Sequence, residues 1–101
     1  MSSRSTLTRA AAGALLVNAV PHGVAGLIGR PFPTPFADPP GRGLSGRRPN
    51  LAWSAANLAL GAVLLRGHDG SAREKRVAAV SGVATAVALT AYFGSLDLST
   101  D

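Results

Sequence analysis

Three long runs without a formally charged residue, separated by basic residues, most constrain what this chain can fold into. Two runs have 20 residues each, 10–29 and 77–96, and a third run, 49–65, has 17 residues. An α-helix rises about 1.5 Å per residue, so 20 residues cover the roughly 30 Å of hydrocarbon in a bilayer, and 17 lies at the short limit. The sequence therefore predicts an all-α protein with three transmembrane helices.

Neither a soluble helical bundle nor a cleaved signal peptide accounts well for these runs. A helix of a soluble bundle has a polar face. In the run 77–96, by contrast, the polar side chains are all hydroxyls, and no charged residue lies anywhere around the helix. A cleaved signal peptide would suit the basic residues before the first run, but that run is too long, contains Pro21 and His22, and lacks a clean A-x-A cleavage site. Both points favour a membrane-embedded chain.

The same runs divide the 101 residues into one membrane domain. Six of the seven prolines lie within residues 30–50, and proline at this density excludes a helix there. We therefore predict helix 1 at about 7–29, a Pro/Gly-rich loop at 30–49, helix 2 at about 50–66, a basic loop at 67–75, helix 3 at about 76–96 and a short acidic tail at 97–101.

Charge and cysteine content exclude several classes of partner and scaffold. The net charge is +5, but the ten basic residues lie between apolar runs rather than along one face, so nucleic acid is not an expected partner. The absence of cysteine excludes disulfide and Cys-ligated metal scaffolds. The expected partners are the lipid bilayer and either further copies of the chain or a larger membrane assembly.

Three spans place the two termini on opposite sides of the membrane. The N-terminal side then carries six basic residues and the other side four: Arg4, Arg9, Arg66, Arg73, Lys75 and Arg76 against Arg30, Arg42, Arg47 and Arg48. Because basic residues accumulate on the cytoplasmic side, we predict a multi-pass protein of the inner or plasma membrane with a cytoplasmic N-terminus.

Polar residues inside the spans are costly to place in lipid and are therefore candidates for function. Asn18 and His22 lie one turn apart on helix 1, and Ser54 and Asn57 share a face of helix 2. Counted from the proline-rich loop, His22 and Asn57 lie at similar depth, so we expect His22 to hydrogen-bond Asn57 or Ser54. The cluster could join the helices, or it could bind a solute, a quinone-like headgroup or a proton.

All aromatic side chains fall on the loop side of the predicted membrane: Phe32, Phe36, Trp53, Tyr92 and Phe93. They could form an interfacial belt, or they could clamp the loop against the helices. Small residues recur every four positions along helix 3, at Ala78, Gly82 and Ala86, and this spacing predicts close contact with another helix.

Several motifs together resemble a group of small bacterial integral membrane proteins with no assigned activity. They are N-x-x-P-H at 18–22, the proline string PFPTPFADPPG at 31–41 and N-x-x-W at 50–53. The resemblance implies that Asn18, His22, the proline string, Asn50 and Trp53 form one structural unit, and it implies no reaction.

No span contains an Asp or Glu, so the paired carboxylates of acid–base catalysis are missing there. We therefore expect no catalytic residues, no metal and no cofactor. The leading hypothesis is a non-enzymatic membrane component that acts through helix packing. The alternatives are an oligomeric channel or transporter for small solutes or protons, using His22, Asn18 and Asn57, and an accessory subunit that binds a lipid or quinone.

Overall fold

The computed structural model describes residues 3–66 and 71–96, and within them the chain is all-helical apart from one short strand pair. The elements in chain order are α1 Ser3–Ile28, β1 Phe32–Pro33, β2 Leu44–Ser45, α2 Arg47–Leu65 and α3 Ala72–Gly94. The all-α class is confirmed. Two helical segments, Ser5–Ile28 in α1 and Ala72–Gly94 in α3, are long and apolar enough to cross a membrane, with mean hydropathies of 1.6 and 1.7.

Two helices, α2 and α3, begin before their predicted starts. The side chain of Ser71 accepts a hydrogen bond from the backbone N–H of Glu74, so α3 begins at residue 72 and includes basic residues predicted to lie in a loop. The second helix begins at Arg47, because Pro49 lies in the first turn, where a helix needs no N–H donor. Residues 67–70 of the predicted basic loop and the predicted acidic tail, 97–101, lie outside the described residues.

The first helix is the centre of the fold. It packs against both α2 and α3, whereas α2 and α3 make little contact with each other. The hydroxyl of Ser54 in α2 donates to the carbonyl of Ala19 at 2.7 Å, and that of Ser81 in α3 donates to the carbonyl of Ala10. Near its start α1 contacts the end of α2 and the start of α3, and near its end it contacts the start of α2 and the end of α3, so α2 is antiparallel and α3 parallel to α1. We call the end with residues 29–46 the loop end and the other the opposite end.

Small residues form the contact between α1 and α3. A Cβ on Gly13 would overlap the backbone carbonyl of Ala78, and a Cβ on Gly82 would lie 3.1 Å from the Val17 side chain. Ala78 and Gly82 therefore face α1, in agreement with the helix contact that their four-residue spacing predicts. Ala86, the next residue in that series, is exposed. Such close backbone approach is how helices associate where lipid removes the hydrophobic incentive.

The segment between α1 and α2, residues 29–46, is held by its own hydrogen bonds. Strand β1 pairs antiparallel with β2. Thr34 lies at its centre: its hydroxyl hydrogen-bonds that of Ser45 at 2.6 Å, and its carbonyl accepts from the N–H groups of Ala37 at 3.1 Å and Gly41 at 2.8 Å. The proline-rich sequence thus forms a folded cap at the loop end.

The distribution of polar and apolar side chains is the reverse of that in a water-soluble protein. Among the described residues, the buried apolar side chains are those of Pro33 and of four alanines, Ala12, Ala19, Ala25 and Ala37. The buried polar side chains are Arg9, His22, Thr34, Asn50, Ser54, Asn57 and Glu74. Large apolar side chains lie on the outside instead, including Leu27 at 73 %, Val80 at 67 % and Val87 at 65 % exposure.

Candidate functional site

Asn50 connects the loop segment to the helices at the loop end. It lies in the first turn of α2 and is fully buried. Its amide nitrogen Nδ2 faces three backbone carbonyls, those of Phe32 at 3.1 Å, Ser45 at 3.0 Å and Gly46 at 3.0 Å. Since the NH₂ group is the donor half of the amide, these carbonyls fix which way the side chain points.

The orientation of Asn50 determines the tautomer of His22. The amide oxygen Oδ1 of Asn50 lies 3.0 Å from Nδ1 of His22, and an amide oxygen can only accept. Nδ1 of His22 therefore carries a hydrogen and donates a hydrogen bond to Oδ1 of Asn50. The ring of His22, itself 2 % exposed, is held in one orientation by this bond.

Aromatic rings enclose the rest of His22. Phe32 from the loop, Trp53 from α2 and Phe93 from α3 each present edge-to-face geometry, with ring centroids 5.4, 6.5 and 6.1 Å from that of His22. Edge-to-face pairs of this separation are favourable beyond the area they bury. His22 thus lies where the loop and all three helices meet.

The two remaining aromatic side chains hold the loop from outside. Phe36 packs edge-to-face on Trp53 at 5.4 Å, and Tyr92 packs on Phe93 at 5.3 Å. The Tyr92 hydroxyl also donates to the carbonyl of Gly41 at 2.9 Å. The five aromatic residues predicted as a loop cap therefore form, together with His22, one connected set that joins the loop to both α2 and α3.

A second polar layer lies one turn further from the loop. Nδ2 of Asn18 donates to Oδ1 of Asn57 at 3.1 Å, and Nδ2 of Asn57 donates to the carbonyl of Trp53 at 2.7 Å. Ser54 donates to the carbonyl of Ala19 at 2.7 Å. These bonds join α1 to α2 through side chains that would otherwise be unpaired in an apolar interior.

The predicted bond from His22 to Asn57 or Ser54 is wrong. The structure places Asn18, Ser54 and Asn57 in the deeper layer and pairs His22 with Asn50 instead. The reason is that α2 is offset along α1 by about two turns from the predicted depth, so Asn50 in its first turn, rather than Asn57, lies opposite His22. The four residues predicted as one cluster are thus divided between two layers.

A buried ion pair at the opposite end was not predicted from the sequence. Nε of Arg9 in α1 lies 3.5 Å from Oε2 of Glu74 in α3, and both side chains are 7 % exposed. The Arg9 Nη1 group donates to the carbonyl of Leu64 at 2.6 Å, in the last turn of α2. Since α2 has no basic residue in its own last turn, Arg9 supplies the positive charge that favours a helix C-terminus.

The sequence contains one usable signal for this pair. Ser71 and Glu74 have the S-x-x-E spacing of a capping box, which places Glu74 in the first turn of a helix rather than in a loop. Glu74 would then face the start of helix 1, where Arg9 lies. No comparable sequence signal indicates Thr34, which is 1 % exposed at the centre of the loop.

The described residues contain no group of three or more His, Cys, Asp or Glu that could hold a metal ion. The chemistry available around His22 is that of a neutral amide and aromatic rings. No protein-family model, curated protein or solved structure matches this chain.

Proposed function

We propose that this chain is an integral membrane protein with three spans, and that it acts through helix packing as a non-enzymatic component of a membrane assembly. The observation that carries the proposal is the reversed distribution of side chains, with polar groups inside and large apolar groups outside. In water, such a surface would leave the apolar groups solvated and the polar interior without hydrophobic stabilisation. In lipid, the same distribution is favourable.

The low burial of α3 supports this environment. Only 6 % of its most apolar stretch is buried inside the protein, so α3 is not a shielded core helix of a soluble fold. Its outward face carries Val80, Val83 and Val87, which are about two-thirds exposed. Hydrocarbon or another transmembrane helix is the environment that suits this face.

The second helix is proposed as the third span. Its 19 residues reach about 28 Å, close to the hydrocarbon thickness of a bilayer. It lies antiparallel along α1, and its outer face carries Leu58, Leu60 and Val63. Arg47 and Arg48 at its start and Arg66 after its end would lie near the two interfaces.

The environment of His22 favours a packing role over conduction. Its Nδ1 group is hydrogen-bonded to Asn50, and its ring packs against three aromatic rings rather than facing an open channel. Asn18 and Asn57 bond each other in the layer below. A proton or solute would have to break these contacts to pass.

Three single-cysteine variants test the threading, because the natural chain has no cysteine. The exposed positions are Arg42→Cys in the loop, Arg66→Cys after α2 and Ser95→Cys after α3. With an impermeant maleimide on sealed cells, three spans predict that positions 42 and 95 label alike and position 66 oppositely. If α2 does not cross, positions 42 and 66 label alike and 95 oppositely. Release of the protein by alkaline carbonate would contradict membrane embedding altogether.

His22→Ala separates the packing role from conduction. We expect weakened helix assembly and lower resistance to denaturing detergent, because Asn50 loses its partner and the aromatic cluster loses its centre. The control is Val24→Ala on the same helix, at an exposed position. Loss of proton flux in reconstituted vesicles, with assembly intact, would favour the channel hypothesis instead.

A further inference from the structure

A groove between α1 and α3 at the opposite end combines two cationic side chains with an apolar wall. It has a volume of about 600 Å³ and is lined by Ala10, Arg73, Arg76, Val77, Val80 and Ser81. Four of these residues, at positions 73, 76, 77 and 80, follow the i, i+3, i+4, i+7 spacing of a single helix face. The two guanidinium groups therefore lie at the helix start, and the valines follow them toward the middle of the helix.

The charge of this face is not neutralised within the described part of the chain. Arg73 and Arg76 are exposed and form no ion pair there. The neighbouring carboxylate, that of Glu74, is buried on another side of α3, where it pairs with Arg9. A second anion can therefore approach Arg73 and Arg76 from the outside of the helix.

The two halves of the groove match the two halves of a phospholipid. Arginine presents a planar set of N–H donors that binds phosphate oxygens in bidentate geometry. Val77 and Val80 continue the same face, and the Val80 side chain is 67 % exposed. An acyl chain extending from a phosphate held at the helix start would run along these valines, with Ala10 of α1 as the other wall.

We propose that this groove binds the headgroup and one acyl chain of an anionic phospholipid, an inference that rests on the proposed membrane location. We specify an anionic lipid for two reasons. A headgroup with net negative charge is attracted to the two arginines more strongly than a zwitterionic one. The cytoplasmic leaflet, where we predict the N-terminal side to lie, also carries such lipids. Arg73 and Arg76 hold the phosphate. Val77 and Val80 contact the chain.

The test measures lipid binding to the purified full-length protein by native mass spectrometry, with phosphatidylglycerol and phosphatidylcholine titrated in detergent. The wild type should bind phosphatidylglycerol more tightly. Each basic residue at an anionic membrane surface contributes about fivefold in affinity, so Arg73→Gln/Arg76→Gln should weaken binding about 30-fold. Arg42→Gln/Arg48→Gln removes the same charge at the loop end and should leave the affinity essentially unchanged.

A further variant tests whether the apolar wall contributes to binding, and a competition experiment tests whether a phosphate anion alone is sufficient. Val80→Trp fills the groove at an exposed position without changing charge, and should reduce phosphatidylglycerol binding several-fold while circular dichroism stays unchanged. Equal losses for the two arginine pairs would overturn the proposal. Displacement of the lipid by millimolar inorganic phosphate would overturn it too, because an anion alone would then be sufficient.

The outcomes distinguish this proposal from the proposed membrane location. If carbonate releases the protein from membranes, the membrane location itself fails. If the protein stays in the membrane but all variants bind phosphatidylglycerol with wild-type affinity, only the lipid site fails.

Discussion

Replacing Asn50 by Asp tests the hydrogen-bond arrangement at the loop end. The two side chains have nearly the same shape, so the substitution leaves packing unchanged, removes the N–H donors and places an ionisable carboxyl group at a buried position. Aspartate keeps an acceptor for Nδ1 of His22, but it loses both N–H groups that Asn50 directs at three backbone carbonyls. The new oxygen would face those carbonyl oxygens directly.

The magnitude follows from the number of donors. An NH₂ group has two hydrogens, so at most two of the three carbonyls receive a full hydrogen bond at once. Each lost bond costs about 1 kcal/mol net, and buried carbonyls left without a donor add about 1–3 kcal/mol. We therefore expect Asn50→Asp to lower the free energy of unfolding by about 3–5 kcal/mol, despite the similar shape of the two side chains.

The unfolding can be followed by the fluorescence of Trp53, the single tryptophan of the chain. It lies beside His22 and Phe36, so it reports on the same cluster. Purified protein in mild detergent would be titrated with SDS, and the midpoints compared between variants. Helix content measured by circular dichroism provides an independent second probe.

Asn57→Asp is the matched comparison. Asn57 directs its Nδ2 group at one carbonyl, that of Trp53, so it should lose less stability than Asn50→Asp. If Asn50→Asp unfolds at the wild-type midpoint, or if the two variants change in the reverse order, the assigned orientation of the Asn50 amide is incorrect.

Three further substitutions test contacts elsewhere in the fold. Gly13→Ala would press a methyl group into a backbone carbonyl of α3 and should cost about 1–3 kcal/mol in SDS titration, whereas Gly94→Ala, where a Cβ meets no atom within 4 Å, should cost little. Arg9→Gln should cost about 3–5 kcal/mol by leaving Glu74 buried without its cation, and replacing both residues by Met should recover most of that loss. Tyr92→Phe removes an exposed hydrogen bond and should cost at most about 1 kcal/mol, but amide hydrogen exchange should accelerate in residues 41–43.

Much of the architecture could be predicted because hydropathy and proline content are read directly from the sequence. The uncharged runs located three helices, and the prolines located the break between the first two. The small residues on helix 3 also indicated a close contact, and Ala78 and Gly82 make it. Each of these signals is local, so each can be detected without knowing what lies opposite.

The pairing of polar side chains could not be predicted in the same way. Whether His22 meets Asn50 or Asn57 depends on the vertical offset between two helices, which the sequence does not fix. The two asparagines lie about 10.5 Å apart along the axis of α2, so an error of two turns in that offset exchanges the hydrogen-bond partners. The Arg9–Glu74 pair was missed for a related reason, since the cluster of charged residues around Glu74 predicts a loop rather than the first turn of α3.

The central position of α1 has a consequence for biosynthesis. The hydrogen bonds that join α1 to α2 need no residue beyond Leu65, whereas Tyr92 and Phe93 of α3 add their contacts with the cap over 29–46 later. For the proposed membrane location, we expect the first two helices to pair as soon as both have left the translocon, and α3 to join afterwards through the contact made by Gly13 and Gly82. Residues 1–66 followed by an unrelated tether long enough to hold them clear of the ribosome should therefore already protect Asn50 from solvent.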